Sequence, residues 1–425
     1  MIVLAYILSG LSLLMSIILL IGQPKFPASF WLLLPKLLAG ALSPYWAVIG
    51  AAGAVIGGLD QGYWAIPMGI VGAGIMIWYV WRCTRNHNGF EEAFGPGWSD
   101  QIPPEQAGRM LQKRWMWFLR MQGSPKPVWE RDIPFWTIPA TDRQRPDRQL
   151  LCDIWRPANG HVSGLALVYI HGGAWYIWDK DYYTRPFFRH LVAQGHTVMD
   201  VSYRLCPEVD IYGMIGDVKR AIAWMKANAD RYGVNPDKIV LGGASAGGHL
   251  AQLAGYTPEH PELTAKDVKG ADLSVCGVLS CYGFTDLLAL YRYMNLHTLE
   301  GQPPVPIGTR LDPAEGRRYL GRMDILLGGW PQDAPELYQL ASPVTHVRSG
   351  CPPTLLIQGE QDIFCPVGAT RAHHVKLVET GVPAINVVFP FTNHGFDLVF
   401  PSLSPAAQSA LYDVDRFLAL LLNKD

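Results

Sequence analysis

The 425-residue sequence predicts an α/β domain, a mostly parallel sheet flanked by helices and carrying a cap insertion, preceded by a helical transmembrane region. Three observations predict it. Residues 1–81 hold three charged side chains (Lys25, Lys36 and Asp60), against 68 in the remaining 344 residues. From about residue 126 onward, short β-rich runs alternate with helical stretches, the pattern of βα units on a parallel sheet. One of those β-runs passes directly into a Gly-x-Ser-x-Gly turn and then into a helix-forming run. The 35 Lys and Arg balance 36 Asp and Glu, so no net field attracts a polyanion, and nucleic acid is not expected as a partner. The seven cysteines include no CxxC pair and no His/Cys cluster at zinc spacing, which argues against a disulfide framework and a structural metal.

Residues 2–21 form an uncharged run close to the roughly 20 residues that cross a bilayer as a helix. No positive region precedes the run and no A-x-A-like site follows it, so it reads as a retained span rather than a cleaved signal peptide. Residues 63–81 form a second span, with Tyr63, Trp64, Trp78, Tyr79 and Trp81 at its ends like an interfacial belt and Arg82 and Arg85 just beyond. Between them, residues 44–59 are apolar but short and glycine-rich, and residues 29–43 carry Pro35 and Lys36; a third span or a re-entrant element fits. Spans at 2–21, 44–59 and 63–81, together making a membrane region over 1–85, put Lys25, Lys36, Arg82 and Arg85 on one side and Asp60 on the other. That bias predicts an outside N-terminus and a cytoplasmic C-terminal domain. Gly53-x-x-x-Gly57 has the small-xxx-small spacing of close helix contacts, which leaves a membrane-helix dimer open. Residues 86–125 read as an amphipathic juxtamembrane linker. Within it, 104–121 sets Arg109, Lys113, Arg114 and Arg120 among Met110, Leu111, Trp115, Trp117, Phe118 and Leu119, a helix either lying on an anionic leaflet or packed on the following domain.

In residues 126–425, Gly164–Ile170 and Thr197–Tyr203 read as buried strands, Asp210–Tyr232 as a helix ending at Gly233, and Lys238–Leu241 as a third strand. The third strand leads into Gly243-Ala244-Ser245-Ala246-Gly247. Glycines must flank so tight a turn, and the serine then projects its hydroxyl at the N-terminus of the next helix as a nucleophile. Upstream, His171-Gly172-Gly173-Ala174-Trp175 follows the first strand; the Gly172, Gly173 and Ala246 amides are the expected oxyanion donors. A serine nucleophile needs a base and an orienting acid, in the chain order Ser, Asp, His for this arrangement. Asp362, just past the Thr354–Gln358 strand, is the favoured acid, with Glu360 its rival and Asp397 weaker. His394, on the loop after the Ile385–Phe389 strand, is the base. His373 and His374, in the Val367–Thr380 helix, read as solvated, and His249 as a packing residue. The excursion over 283–350 is the cap. Its Tyr291, Tyr293, Tyr319 and Trp330 either line an apolar pocket or pack the cap, and Trp175 and Trp178 beside the oxyanion loop are the better substrate-binding candidates.

With these motifs in their order, residues 126–425 resemble an α/β-hydrolase of the serine esterase type, similar to the branch of hormone-sensitive-lipase-like esterases, arylacetamide-deacetylase-like enzymes and prenylcysteine methylesterases. His171-Gly172-Gly173-Ala174 stands where hormone-sensitive-lipase-like members have HGGG, and Ala244 where they usually carry Asp. HGGAW with GGHLA is closer to the prenylcysteine-methylesterase and kynurenine-formamidase pattern. The resemblance implies a membrane-integral carboxylesterase or lipase that cleaves a small-molecule or lipid ester with a Ser245–His394–Asp362 triad and no metal or organic cofactor. An acyltransferase or amidase with the same triad, and a non-catalytic membrane-bound interaction protein, are the alternatives; fold kinship alone does not choose among them.

Overall fold

The computed structural model describes residues 1–22, 28–119, 126–140, 146–296 and 322–423. Lys25, Arg120 and Tyr319, named above, lie outside the described residues.

The N-terminal region folds as four helices: α1 (Ile2–Leu20), α2 (Ala28–Ala41), α3 (Ser43–Leu59) and α4 (Ala65–Thr84). By length and composition, α1 and the stretch Ala65–Phe94 containing α4 are able to cross a membrane, and α2 with α3, bent by 75°, makes the number up to three. The helices α1, α3 and α4 pack on one another, with α3 antiparallel to both neighbours. The Met1 amino group lies 3.4 Å from Asp60 Oδ2, setting the start of α1 beside the end of α3. Small residues permit the approach. A Cβ on Gly53 would sit 2.6 Å from the Ser9 amide, one on Gly72 2.8 Å from the Leu13 amide, and one on Gly57 3.0 Å from the Ala65 Cβ. Gly53 and Gly57 therefore face helices of their own chain, and the small-xxx-small stripe is occupied without a second copy.

Two short helices, α5 (Gly89–Phe94) and α6 (Pro104–Ala107), lead to the sheet. The expected amphipathic helix over 104–121 is corrected here: among its described residues only Pro104–Ala107 is helical, and residues 108–119 run as an irregular strap. The reason lies in its partner, a C-terminal helix over Pro405–Leu420. That helix takes the strap's backbone donors on its own side chains: Leu111 N–H to Asp415 (2.9 Å) and Met116 N–H to Gln408 (2.8 Å). Arg114 forks onto Asp413, at 2.8 and 3.0 Å. Amides bound in this way are not available for i−4 carbonyls.

Eight strands form one sheet in the order β1-β2-β4-β3-β5-β6-β7-β8. They are β1 (Val128–Ile138), β2 (Arg148–Arg156), β3 (Ala166–Ile170), β4 (Thr197–Val201), β5 (Ile239–Ala244), β6 (Gly277–Cys281), β7 (Thr354–Gly359) and β8 (Ala384–Phe389). The β1–β2 and β2–β4 pairs are antiparallel and all others parallel. The parallel strands β3, β4 and β5 are buried along their whole length, as strands covered on both faces must be. The remaining helices are α7 (Arg185–Ala193), α8 (Ile211–Ala227), α9 (Ala246–Tyr256), α10 (Leu287–Leu296), α11 (Met323–Leu327), α12 (Pro335–Leu340), α13 (Val367–Glu379) and α14 (Pro405–Leu420). Within residues 283–350, where a cap is expected, α10, α11 and α12 are the described α-helices. One core joins α8 and α9 to the sheet, and a second joins α7 and α14 to the other face. The second core runs on without a break into the N-terminal region: Met76, Tyr79 and Cys83 of α4 belong to the same cluster as Phe389 of β8 and Phe417 of α14.

Candidate active site

Ser245 stands between β5 and α9 at φ 55°, ψ −121°, a conformation that non-glycine residues hold only when the surroundings impose it. The surroundings do so through Gly243 and Gly247. A Cβ on Gly243 would overlap the Gly247 backbone, and one on Gly247 would overlap the Ile170 carbonyl. The Ser245 amide is tied to the Cys281 carbonyl at 2.9 Å. The turn thereby holds the serine above the C-terminal edge of the sheet, at the N-terminus of α9, as a nucleophile elbow requires.

His394 and Asp362 come to Ser245 from two loops that follow β8 and β7. The Nε2 of His394 lies 3.0 Å from Ser245 Oγ, and its Nδ1 lies 2.7 Å from Asp362 Oδ2. Asp362 is buried and accepts on both oxygens: Oδ1 from the amides of Phe364 and Cys365 at 2.8 Å each, and Oδ2 also from Gln358 Nε2 at 3.0 Å. Asn393 Oδ1 accepts from the Ile363 and His394 amides and so fastens the histidine loop to the acid loop. Glu360, the rival acid, points elsewhere and accepts from the Phe391 amide at 3.3 Å. Asp397 is also turned away, bonded to the Tyr282 hydroxyl at 2.6 Å, and burial raises its pKa above the usual carboxylate range.

The loop after β3 lies directly over the elbow. A Cβ on Gly172 would lie 3.0 Å from the Ala244 carbonyl and 3.4 Å from the Ser245 Cβ, while one on Gly173 (φ +118°) would overlap the Ile177 carbonyl. Only glycine meets both requirements. His171 stacks on Tyr203 at 4.4 Å and its Nδ1 meets the Gly172 carbonyl at 2.6 Å. Burial depresses the pKa of this imidazole to about 4, so it is neutral at pH 7. Ala246 opens α9, where a first-turn amide has no i−4 partner.

The aromatic candidates divide. Trp175 is buried between Phe284 (4.9 Å) and the edge of His249 (5.4 Å), whereas Trp178 is 41% exposed and stacks on Tyr182 at 3.8 Å. In the cap, the Tyr293 hydroxyl donates to the Asp362 carbonyl at 3.0 Å. Tyr291 packs against Trp330 and Tyr338, both at 6.1 Å. His249 packs as expected, with Nε2 on the Ala341 carbonyl at 2.7 Å. His373 does not follow its expectation. It is fully buried against Tyr256, because α13 turns that side toward the core, and His374 is half-buried with its Nε2 3.1 Å from the Ala384 carbonyl. Sequence reasoning missed Tyr282, whose ring stands 4.5 Å from that of His394, and Phe364, edge-on to His394 at 5.1 Å. Their positions at the end of β6 and just after the acid were the available signal.

The N-terminal helices reach the same loops. Lys36 of α2 is buried and its Nζ donates to the Ile21 carbonyl and to Gln361 Oε1, next to the acid. The Tyr79 hydroxyl of α4 lies 3.2 Å from Thr392 Oγ1, two residues before His394, and Trp78 packs on Phe391 at 5.3 Å.

The BD-FAE family model matches residues 152–377, just over half of the chain. The probable carboxylic ester hydrolase LipM of Mycobacterium tuberculosis is 33% identical over 271 residues, which cover 63% of this chain and 57% of LipM. Esterase LipQ of the same organism is 29% identical over 336 residues, 77% of this chain and 72% of LipQ. The chain thus spans less than two thirds of LipM and, at 58%, of esterase LipC. Among solved structures, the esterase Est2 of Thermogutta terrifontis, with propionate bound, superposes with a TM-score of 0.52 at 24% identity, over 71% of this chain and 95% of Est2. Esterase B of Lactobacillus rhamnosis superposes with a TM-score of 0.54 at 22% identity, over 70% and 89%. The fold is that of the α/β-hydrolases, and by the extent of the family match the chain belongs to the BD-FAE family.

Proposed function

We propose that the chain is a membrane-integral serine carboxylesterase that hydrolyses a lipophilic ester through an acyl-enzyme. The observation that carries this reading is the hydrogen-bonded line from Ser245 Oγ through His394 to Asp362, at 3.0 and 2.7 Å, lying against the glycine loop that follows β3. In this reading His394 takes the Ser245 proton as the hydroxyl attacks the ester carbonyl, and Asp362 holds the imidazole in the tautomer with Nδ1–H and stabilises the imidazolium. The Gly172, Gly173 and Ala246 amides receive the oxyanion, the alcohol leaves with the proton from His394, and water repeats the sequence on the acyl-enzyme. Trp178 forms the rim of the substrate site and Trp175 its buried support. The names of LipM and LipQ, and the propionate of Est2, favour ester cleavage over amide cleavage.

Membrane integration and a lipophilic substrate are supported by the N-terminal helices. In the proposed topology α1, α3 and α4 cross the bilayer and α2 lies along its surface, with Trp31 and Leu34 exposed. Lys36, Arg82 and Arg85 sit at the end nearest the sheet and Asp60 at the far end, a bias that supports a cytoplasmic catalytic domain. Ser245→Ala should abolish hydrolysis of p-nitrophenyl esters and labelling by a fluorophosphonate in membranes; labelling retained at wild-type level would sink the assignment. In right-side-out vesicles, protease added outside should leave the catalytic domain whole.

A further inference from the structure

At the sheet end of α4 lies a cleft of about 270 Å³, lined by none of Ser245, Asp362 and His394 and bounded by Arg82, Arg85, His87, Arg114, Asn386 and Ser409. Three arginines line it, and no acidic residue does among the described residues. The nearest counter-charge, Asp413, is fully buried behind Arg114 and already takes both that guanidinium, at 2.8 and 3.0 Å, and His87, at 3.2 Å. Arg82 and Arg85 rest on the faces of Trp78 and Trp81, at 5.4 and 5.8 Å, and these contacts fix their direction without neutralising them. The Nε of Arg82 is buried and donates to no acceptor among the described residues. A buried guanidinium N–H without an acceptor costs energy that a bound anion would recover. Arg presents a planar fork suited to two oxygens of one phosphate.

We propose that this cleft binds a phosphate group, and that when the chain is in a bilayer the phosphate is the headgroup of an anionic phospholipid. Arg82 and Arg85 make the fork contacts, and Arg114 supplies field from the rear while remaining bonded to Asp413. The lipid assignment rests on the membrane reading above: the cleft stands at the level where α4 leaves the apolar region, the height of a headgroup.

The test uses the full chain in detergent and in nanodiscs. In nanodiscs mixing phosphatidylcholine with phosphatidylglycerol, the wild type should retain phosphatidylglycerol through exchange into detergent, read by native mass spectrometry. Arg82→Gln with Arg85→Gln should weaken that retention by about 30-fold, and the Lys pair at the same positions should restore part of it. Fluorophosphonate labelling of Ser245 should be equal in all three proteins, which reports that each is folded. In detergent, inorganic phosphate is titrated by itself, an arm that does not depend on the bilayer. Phosphate binding lost in the Gln pair, with no preference among lipids, would keep phosphate recognition and overturn the lipid source. Equal lipid retention in wild type and Gln pair, with no phosphate binding by either, would overturn the proposal. Release of the protein by alkaline carbonate would instead count against membrane integration alone.

Discussion

Replacing Asp362 with Asn removes one charge and keeps the shape, and the hydrogen bonds determine what must follow. Among the described residues Asp362 accepts two N–H groups on each oxygen. An amide keeps one oxygen and offers an NH₂ in place of the other. If the NH₂ faces the Phe364 and Cys365 amides, neither partner can turn over, and two buried donors lose their acceptor at about 1–3 kcal/mol each. If the oxygen stays there, the NH₂ faces Gln358, which can flip its own amide, and His394 Nδ1, which can give up its proton. The second arrangement wins by several kcal/mol. It moves the imidazole proton to Nε2, 3.0 Å from Ser245 Oγ, where it donates to the hydroxyl instead of receiving its proton. The expected loss is about 10⁴-fold in kcat, or about 5 kcal/mol of transition-state stabilisation, with KM for p-nitrophenyl butyrate little changed. Stopped-flow hydrolysis and the rate of fluorophosphonate labelling should fall by similar factors, while the unfolding midpoint moves little. A loss below about tenfold in a folded variant would refute the tautomer argument and with it the role given to Asp362.

Gly173→Ala should be more damaging to kcat than its size suggests, by about 10²–10³-fold, because the new Cβ overlaps the Ile177 carbonyl and displaces the oxyanion amides; unchanged kcat would show that the loop holds no oxyanion. Tyr79→Phe should lower stability by about 1 kcal/mol through loss of the Thr392 bond, and an unfolding midpoint in detergent identical to wild type would dismiss that contact. Stability should fall as pH drops from about 6.5 toward 4. Burial holds His171, His196 and His249 at a pKa of about 4 and His373 at about 3, whereas the unfolded chain takes up these protons near 6.5. Unfolding then binds protons the native state refuses, at about 1.4 kcal/mol per pH unit for each imidazole. A midpoint constant between pH 7 and 5 would contradict it.

The parts of the site legible in the sequence are those where a local backbone demand excludes other residues. Gly243, Gly247 and Gly173 each stand where a side chain would strike backbone, so a strand, a glycine turn and a helix were enough to locate Ser245. Asp362 and His394 were legible through strand ends, since β7 and β8 are short, apolar and bounded by turns. What the sequence hid depends on distant partners. The strap over 108–119 has a helical pattern of apolar residues, yet Asp413 and Asp415, some 300 residues on, take its donors. The edge pair β1–β2 went unread because bulges between Glu130 and Ile133, and between Pro134 and Trp136, break the alternation of β1. His373 and His374 are neighbours in a helix, and no local rule says which of two such residues faces inward.

Lys36 on Gln361 and Tyr79 on Thr392 mean that the region before the sheet is no detachable handle. A chain begun at residue 126 to obtain a soluble enzyme would lose both contacts and uncover the apolar surface around Phe389 and Phe417. Exchanging the N-terminal helices for other apolar helices would fail for the same reason unless residues 36 and 79 were carried across. The loops that carry Asp362 and His394 are therefore braced from the first 81 residues, and a change in either half of the chain is felt in the other.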